Sequence, residues 1–277
     1  MDYDSLGVPG NPEFYSRTVV TSVAGTGNSV NKIHKILDVR KYSGKRVCIK
    51  FHGRTDAVKN IAIEGIQNFG SGGSASVFAI SPQKVSLTTS FQKNVIFVDF
   101  PSVEAKTIGD LSNSAINFFF DAGSDFDTRT DTLGQQSGTF DLSEVEIYVS
   151  NTELPVRRRT RDEELKLCLP YFRKSYSSNI SVGEITNNGA ETSHSIDTYY
   201  LNSPTVRWGG NMVSNPTMTF YNPVTGTAGS IRNISDSTNL SGTVATYISE
   251  TAFTHYGNNL LTASKIYQYH WTAKVEL

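Results

Sequence analysis

The sequence has little of what marks several large protein classes. It contains only two cysteines in 277 residues, too few for a disulfide framework. Its formal net charge is −1, whereas a nucleic-acid binder needs a basic surface. No apolar run approaches the length of a membrane-spanning helix. We therefore expect neither a nucleic-acid partner nor membrane insertion.

The N-terminal residues also lack a targeting pattern. Residues 1–7 contain neither the basic region nor the apolar region of a secretory signal peptide, so we expect synthesis in the cytoplasm without a cleaved leader. The chain is long enough for two domains, each with its own core.

The most informative stretch lies near the middle of the chain. Residues 140–149 alternate between apolar and polar side chains, which predicts a half-buried strand. Thr160 and Glu163 have the spacing of a capping box and predict the start of a short helix. An apolar stripe at helical spacing follows, formed by Leu165, Cys168, Leu169 and Phe172. We expect this stripe to pack either on the chain's own sheets or around a three-fold axis.

Everything before and after this helix predicts β-structure. The strands expected before it are residues 14–23, 30–39, 45–52, 59–67, 76–80, 83–88, 91–100, 115–120 and 139–149. Those expected after it are residues 194–201, 205–208, 217–221, 229–234, 243–248, 252–256 and 263–277.

The expected fold class is therefore all-β. We predict an N-terminal jelly-roll β-sandwich over residues 1–153, a hinge and short linking α-helix over 154–174, and a C-terminal antiparallel β domain over 175–277. The C-terminal domain, rich in hydroxyl side chains, is expected to serve receptor binding or trimerisation.

Two local features have simple structural interpretations. Cys48 lies in a strand pattern and Cys168 on the apolar stripe, so both are expected to be buried free thiols. The arginines 157, 158, 159 and 161 precede three acidic residues, which favours a solvated hinge over a phosphate or lipopolysaccharide site.

Catalytic and metal-binding patterns are weak. The five histidines lie in or beside strand patterns without a nucleophile motif, so we expect no enzymatic activity. Four aspartates of one loop, Asp121, Asp125, Asp127 and Asp131, are candidates for a structural Ca²⁺ site. Their spacing differs from that of an EF-hand, and an Asp-rich turn is the competing interpretation. We expect no other cofactor.

Several aromatic residues beside polar ones have the composition of sugar-binding sites, where a ring contacts the apolar face of a pyranose. The candidates are Asn68 with Phe69, Arg207 with Trp208, Tyr221 and Tyr256. Trp208 and Tyr221 lie in predicted strands, which favours burial, whereas Phe69 and Tyr256 lie beside turns and are expected to be exposed.

Many segments together resemble a sandwich module of phage and prophage tail-fibre proteins. These segments are residues 8–15, 21–25, 37–40, 43–45, 61–64, 67–74, 122–126 and 137–141. Residues 163–172 resemble the short helix that follows that module, and residues 216–221 and 269–277 resemble the ends of the next domain. Such modules usually begin with a strand upstream of the position of Val8, which residues 1–6 lack or replace.

The resemblance implies a virion protein, a tail fibre or surface fibre, whose sandwich is similar to carbohydrate-binding jelly rolls. Its expected function is adhesion to the bacterial host surface through non-catalytic binding of a cell-surface glycan. The expected partners are that glycan, other virion proteins and two further copies of the chain in a homotrimer. The alternatives are a purely structural head or baseplate decoration protein and a polysaccharide depolymerase.

Overall fold

The computed structural model describes residues 8, 12, 15–155 and 159–276, which form two compact units. The first unit comprises the described residues up to 155, and the second comprises residues 159–276. Both are built of antiparallel strands with a few short helices, which confirms the predicted fold class. No helix in the described part of the chain is long and apolar enough to cross a membrane.

The first unit is a sandwich of two four-stranded sheets. Its strands are β1 (Ser16–Val20), β2 (Ser29–Leu37), β3 (Arg46–Thr55), β4 (Lys59–Asn68), β5 (Val77–Leu87), β6 (Gln92–Asp99), β7 (Asn113–Ala122) and β8 (Gly138–Val149). The first sheet has the order β1-β8-β3-β6 and the second has the order β2-β7-β4-β5. This pairing of the first strand with the last, in two sheets, is the jelly-roll topology.

The alternating pattern of the strands decides what each face of a sheet carries. In β3, Val47, Ile49 and Phe51 enter the core between the sheets, whereas Lys50 and His52 lie on the opposite face. Across the core, the ring of Phe51 packs edge-to-face against Phe118 of β7, with the centroids 5.7 Å apart. The inner faces of both sheets thus share one apolar core.

One strand differs from the sequence prediction. The two strands predicted over residues 76–80 and 83–88 are the single strand β5, and its pairing with β4 is irregular around Gly65. A Cβ atom at Gly65 would lie 2.7 Å from Val98, so only glycine allows the sheets to pack this closely. Ala79 and Ser81 take positive φ angles of 54° and 48°, and this irregularity lies at or beside the break that the sequence predicted between two strands.

A segment between β7 and β8 covers the middle of the second sheet. Residues 124–126 form a 3-10 helix, and α1 (Asp127–Thr130) follows directly. Phe126 and Leu133 pack on an outer cluster of Ala62, Phe119 and Ala122. As a result, every residue of β7 is buried.

The predicted linking helix is present but shorter than expected. It is α2 (Arg161–Cys168), and Thr160 and Glu163 form the predicted capping box. Pro170 has no backbone N–H and disfavours helix in the residue before it, so the helix ends and Phe172 begins strand β9 (Phe172–Lys174) instead. The placement of Phe172 on the helix was therefore wrong.

The apolar stripe of α2 is not buried within the described chain. Leu165 is 46% exposed, and Cys168 is also exposed, so the prediction that this thiol is buried was wrong. Leu169 is half-buried at the end of the helix. Cys48, in contrast, is buried as predicted. Of the arginine run, residues 157 and 158 lie outside the described residues, and Arg159 pairs with Glu164 at 3.0 Å.

The second unit is organised by its last strand. Besides β9, its strands are β10 (Glu191–His194), β11 (Tyr200–Arg207), β12 (Thr217–Tyr221), β13 (Ser230–Asn233), β14 (Thr238–Ser241), β15 (Val244–Thr246), β16 (Ala252–Tyr256) and β17 (Ile266–Lys274). The strand β17 pairs with β9, β10, β12 and β13 in a six-stranded sheet that also contains β14. A separate three-stranded sheet has the order β11-β16-β15. The single strand predicted over residues 194–201 is two strands, β10 and β11, separated by a turn.

A buried ion pair holds α1 on the second sheet. Glu64 of β4 is fully buried and accepts hydrogen bonds from Arg129 of α1, the side chain of Asn117 and the backbone N–H of Ala79. The Arg129 guanidinium also lies 4.5 Å from the centre of the Phe78 ring. Removing the cation would therefore leave an uncompensated carboxylate inside the protein.

We predict that Arg129→Met lowers the free energy of unfolding of the first unit by about 3–5 kcal/mol, because Glu64 would lose its charge partner in a dry site. The measurement is urea unfolding of the full chain. Arg46→Met is the matched control, since Arg46 and Asp99 pair at the surface with 46% and 58% exposed side chains and the variant should leave stability unchanged. Equal midpoints for the two variants would contradict the role of the buried pair.

A buried histidine makes the second unit sensitive to acid. His255 of β16 is fully buried between the rings of Phe220 and Tyr269, each 4.9 Å away. Neither of its ring nitrogens has a hydrogen-bond partner among the described residues. Burial lowers the pKa of His255 to about 4.

We predict that the second unit loses stability as the pH falls from about 6.5 to 4, because over that range the unfolded state binds a proton at this position and the folded state does not. Burial also lowers the pKa of His270, which acts in the same direction. His255→Phe keeps the stacking and should reduce the loss by about 3 kcal/mol at pH 4. Thermal unfolding at several pH values measures this, with the exposed His194→Asn as control; the same slope in both variants would refute the assignment.

Candidate functional site

The structure places most of the predicted sugar-binding aromatics away from solvent. Trp208 is only 6% exposed and lies in the core of the second unit, where its indole N–H donates to the Glu250 carbonyl at 2.7 Å. Tyr221 is half-buried and packs edge-to-face on Tyr176. The expectation of burial is confirmed for Trp208, whereas Tyr221 is only partly buried. Arg207 is exposed, but it stands beside a buried tryptophan.

Phe69, which we expected to be exposed, is fully buried. The glycine-rich loop that carries it is held against residues 107–110, where Gly109 N–H donates to the Phe69 carbonyl at 2.7 Å. A Cβ atom at Gly70 would lie 2.1 Å from the Asp110 carbonyl oxygen, so glycine is required for this close approach. Asn68 is exposed and accepts from the Gly70 N–H, which uses its side chain to shape the turn.

Tyr256, which we also expected to be exposed, is half-buried and belongs to a group of neighbouring tyrosines. Its ring lies 5.8 Å from Tyr199 and 5.5 Å from Tyr200 between centroids. Burial raises the pKa of Tyr200, and Tyr247 and Tyr256 raise it further, which places Tyr247 beside the same hydroxyl. We call Tyr199, Tyr200, Tyr247 and Tyr256 the tyrosine cluster.

The tyrosine cluster borders an open depression on the three-stranded sheet. Tyr200 is paired with Tyr256, and Thr205 with Thr254, but the register between these two pairs shifts. Such irregularities are frequent beside binding sites because they redirect side chains. The depression has a volume of about 430 Å³ and is lined by Ile196, Asp197, Tyr200, Leu201, Thr205, Tyr247 and Thr254.

The carboxylate of Asp197 forms one wall of the depression. Its Oδ1 accepts the backbone N–H groups of Tyr199 and Tyr200, both at 2.7 Å. This turn fixes the carboxylate and starts β11. Because Asp197 is exposed, its second oxygen can accept a hydrogen bond from a ligand hydroxyl.

Tyr247 is held in an unusual backbone conformation. It follows β15 directly, with a φ angle of 47°, a left-handed conformation that is strained for a bulky side chain. Its side chain is 75% exposed, so burial of the ring does not compensate the strain within the chain. Strained conformations are frequent at ligand-binding sites, which makes the exposed ring of Tyr247 a candidate ligand contact.

The depression combines the two kinds of group that sugar recognition needs. The exposed ring of Tyr247 offers an apolar surface for the C–H face of a pyranose. The carboxylate of Asp197 and the hydroxyls of Thr205 and Thr254 offer hydrogen bonds to the sugar rim. Its volume of about 430 Å³ lies within the usual range of small-molecule sites, about 300–1,000 Å³.

The four loop aspartates serve different local purposes. Asp121 is buried and accepts from Ser22 and from the Gln136 N–H, Asp125 accepts from Thr26, and Asp127 and Asp131 lie at the two ends of α1. Within residues 8, 12, 15–155 and 159–276, no three His, Cys, Asp or Glu side chains are grouped to hold a metal ion. Asp121 and Asp125 thus bond to segments distant in sequence, and not to the backbone of their own turn as the competing interpretation expected.

The sequence analysis named Tyr256 as a candidate, which stays a prediction, and named none of its neighbours in the tyrosine cluster. Asp197, Tyr199 and Tyr200 fell inside a segment predicted as one uniform strand, and Tyr247 fell inside another. The available signal was the pair of consecutive tyrosines after an aspartate, because successive strand residues face opposite sides and cannot both enter one core. The strained conformation of Tyr247 has no signature in the sequence.

Comparisons with known proteins give only distant likenesses. No protein-family model and no curated protein matches the chain. A solved structure described as "CBM4 structure and function" is similar at 18% identity and a TM-score of 0.33, over 50% of this chain and 73% of that one. The enzymatically active domain of tailspike protein 4 from bacteriophage CBA120 is similar at 12% identity and a TM-score of 0.26, over 50% of this chain and 19% of that one. The chain thus has structural similarity to a carbohydrate-binding module and a phage tailspike domain, at a distance that transfers no function.

Proposed function

We propose that this protein binds a bacterial surface glycan without cleaving it, and that the depression beside the tyrosine cluster is a binding site. The observation that supports this most directly is Tyr247, an exposed ring on strained backbone beside the fixed carboxylate of Asp197. Exposed aromatic surface next to convergent hydrogen-bonding groups is the composition of a sugar site.

We further propose that the protein acts as a fibre protein of a phage virion. The support is the resemblance of many segments to tail-fibre modules together with the all-β architecture. A shallow site of this kind binds a single sugar unit weakly, and a fibre that presents several copies gains strength from multivalency. Binding of the purified protein to host cells and to a glycan array tests the proposal, and the release of reducing ends would indicate a depolymerase instead.

We also propose that three copies associate through α2. Leu165 is 46% exposed and Cys168 is exposed on the same face of this short helix, so part of its apolar stripe is uncovered within the described chain. Light scattering should give three times the chain mass of 30.4 kDa, and Leu165→Asp should reduce the mass toward that of one chain. A monomeric wild-type protein would refute the trimer.

We predict that Tyr247→Gly weakens glycan binding by about tenfold or more, because the ring that covers the sugar is lost. Glycine also relieves the left-handed strain, so the free energy of unfolding should stay equal or rise by at most about 1 kcal/mol. Isothermal titration and urea unfolding of the same sample measure both quantities.

The matched control is Ile185→Ala, which shortens another exposed apolar side chain of the second unit that does not line the depression. This variant should bind like the wild type. Normal binding by Tyr247→Gly would show that the ring does not contact the glycan. Unfolding at much lower urea would show that the ring is structural. Either result would refute the proposed site.

A further inference from the structure

A second concentration of unusual side chains lies on the outer face of the first sheet of the sandwich. Arg17 of β1, Asp141 of β8 and Arg54 of β3 stand side by side across three neighbouring strands. Asp141 accepts two hydrogen bonds from Arg17, at 2.8 and 2.9 Å, and one from the Nε of Arg54 at 2.9 Å. We call these three residues the arginine pair and its bridging aspartate.

The charges of this group do not cancel. Two guanidinium groups share one carboxylate, which leaves one excess positive charge. Burial alone would raise the pKa of Asp141, but hydrogen bonds from both arginines hold it below its usual value, so the carboxylate stays charged. The aspartate thus orients both guanidinium groups without neutralising them.

The two arginines still have donors to offer. Asp141 engages only the Nε of Arg54, and the Nη groups of Arg54 have no hydrogen-bond partner within the described part of the chain. The side chain of Arg54 is 25% exposed and that of Arg17 is 44% exposed, whereas Asp141 is only 4% exposed. A ligand would therefore meet guanidinium donors, with the carboxylate behind them.

Two aromatic rings complete the surface. The Arg54 guanidinium lies 4.5 Å from the centre of Phe91 and 5.7 Å from that of Tyr15, and Arg17 lies 5.3 Å from Tyr15. Stacking of this kind restrains a long side chain, so less conformational freedom is lost when it binds. Both rings are half-buried, so part of their apolar surface also remains accessible.

We propose that the arginine pair, with Tyr15 and Phe91, binds the carboxylate of an acidic sugar such as a uronic acid residue. Guanidinium donors in fixed orientation match the two oxygens of a carboxylate, and adjacent rings match the apolar face of the sugar that carries it. The inference rests on the proposed glycan-binding function and specifies an acidic glycan as one of its ligands, at a site in the first unit.

The competing interpretation is structural, because Asp141 also ties the edge strand β1 to β8 and β3. The design must therefore separate binding from stability. Arg46→Gln is the matched control for Arg54→Gln. Arg46 lies on the same face of the same strand and donates two hydrogen bonds to Asp99, at 2.6 and 2.7 Å. One guanidinium there faces one carboxylate, so that pair carries no excess positive charge.

The experiment is titration of the full chain with short oligomers of galacturonic acid and glucuronic acid, with their carboxyl-reduced neutral counterparts, and with inorganic phosphate. We expect one of the acidic oligomers to bind, and its neutral counterpart and phosphate each to bind at least about tenfold more weakly. Arg54→Gln should lose about tenfold or more in affinity, Arg46→Gln should bind like the wild type, and added salt should weaken binding.

Equal losses in both variants would overturn the proposal, as would equal affinity for the acidic and neutral oligomers. Phosphate binding as tight as binding of the acidic oligomer would also overturn it, because the site would then be a general oxyanion site. If Arg54→Gln does not fold, protection of the wild-type arginines from phenylglyoxal provides the test: the oligomer should protect Arg17 and Arg54 and not Arg46. Binding that is lost in Tyr247→Gly but kept in Arg54→Gln would overturn this inference and leave the proposed function standing, whereas no binding to any glycan would remove both.

Discussion

The burial of strand β7 on both faces constrains where this protein can meet a ligand. Its inner residues, such as Phe118, enter the core between the sheets, and its outer residue Phe119 is covered by Phe126 and the Arg129 side chain. Polar groups on that face must then find partners inside the protein. The Glu64 carboxylate accepts from Arg129 and from the Asn117 amide, whereas the Asn117 Oδ1 has no partner within the described residues. The middle of the second sheet therefore carries buried polar groups and offers no open groove to a ligand. Accessible surfaces for recognition lie elsewhere.

Both candidate sites hold their contact side chains in place before a ligand binds, but they do so with different chemical groups. In the second unit, an aspartate fixed by two backbone N–H groups stands next to an exposed tyrosine on strained backbone. In the first unit, a nearly buried aspartate fixes two arginines beside aromatic rings. In both, one carboxylate has local partners that pre-organise the contact surface before a ligand arrives, which reduces the ordering cost of binding. The uncharged hydroxyl groups of a ligand suit the site beside Tyr247, and the carboxylate of a ligand suits the arginine pair.

The architecture could be predicted from the sequence much further than the sites could. Strict alternation in Val47, Ile49 and Phe51 specifies a strand and its buried face, and the capping box at Thr160 specifies a helix start, because these patterns depend on local geometry. Burial of Phe69 depends on a loop meeting residues 107–110, which no local pattern encodes. The exposure of Tyr247 at the rim depends on backbone strain. The alignment of Arg17 with Arg54 depends on the register between strands distant in sequence. The end of α2 at Cys168, in contrast, is encoded locally, because Pro170 disfavours helix in the residue before it.

Hydrogen–deuterium exchange with and without a host surface glycan tests the central claim most directly, because it reports contact along the whole chain without substitution. Bound glycan should slow exchange in residues 196–200 and 244–247, which surround the depression, and leave the second sheet of the sandwich unchanged. Slower exchange confined to β4 and β7, with none around Tyr247, would contradict the claim and would place the ligand on strands that the structure shows to be buried.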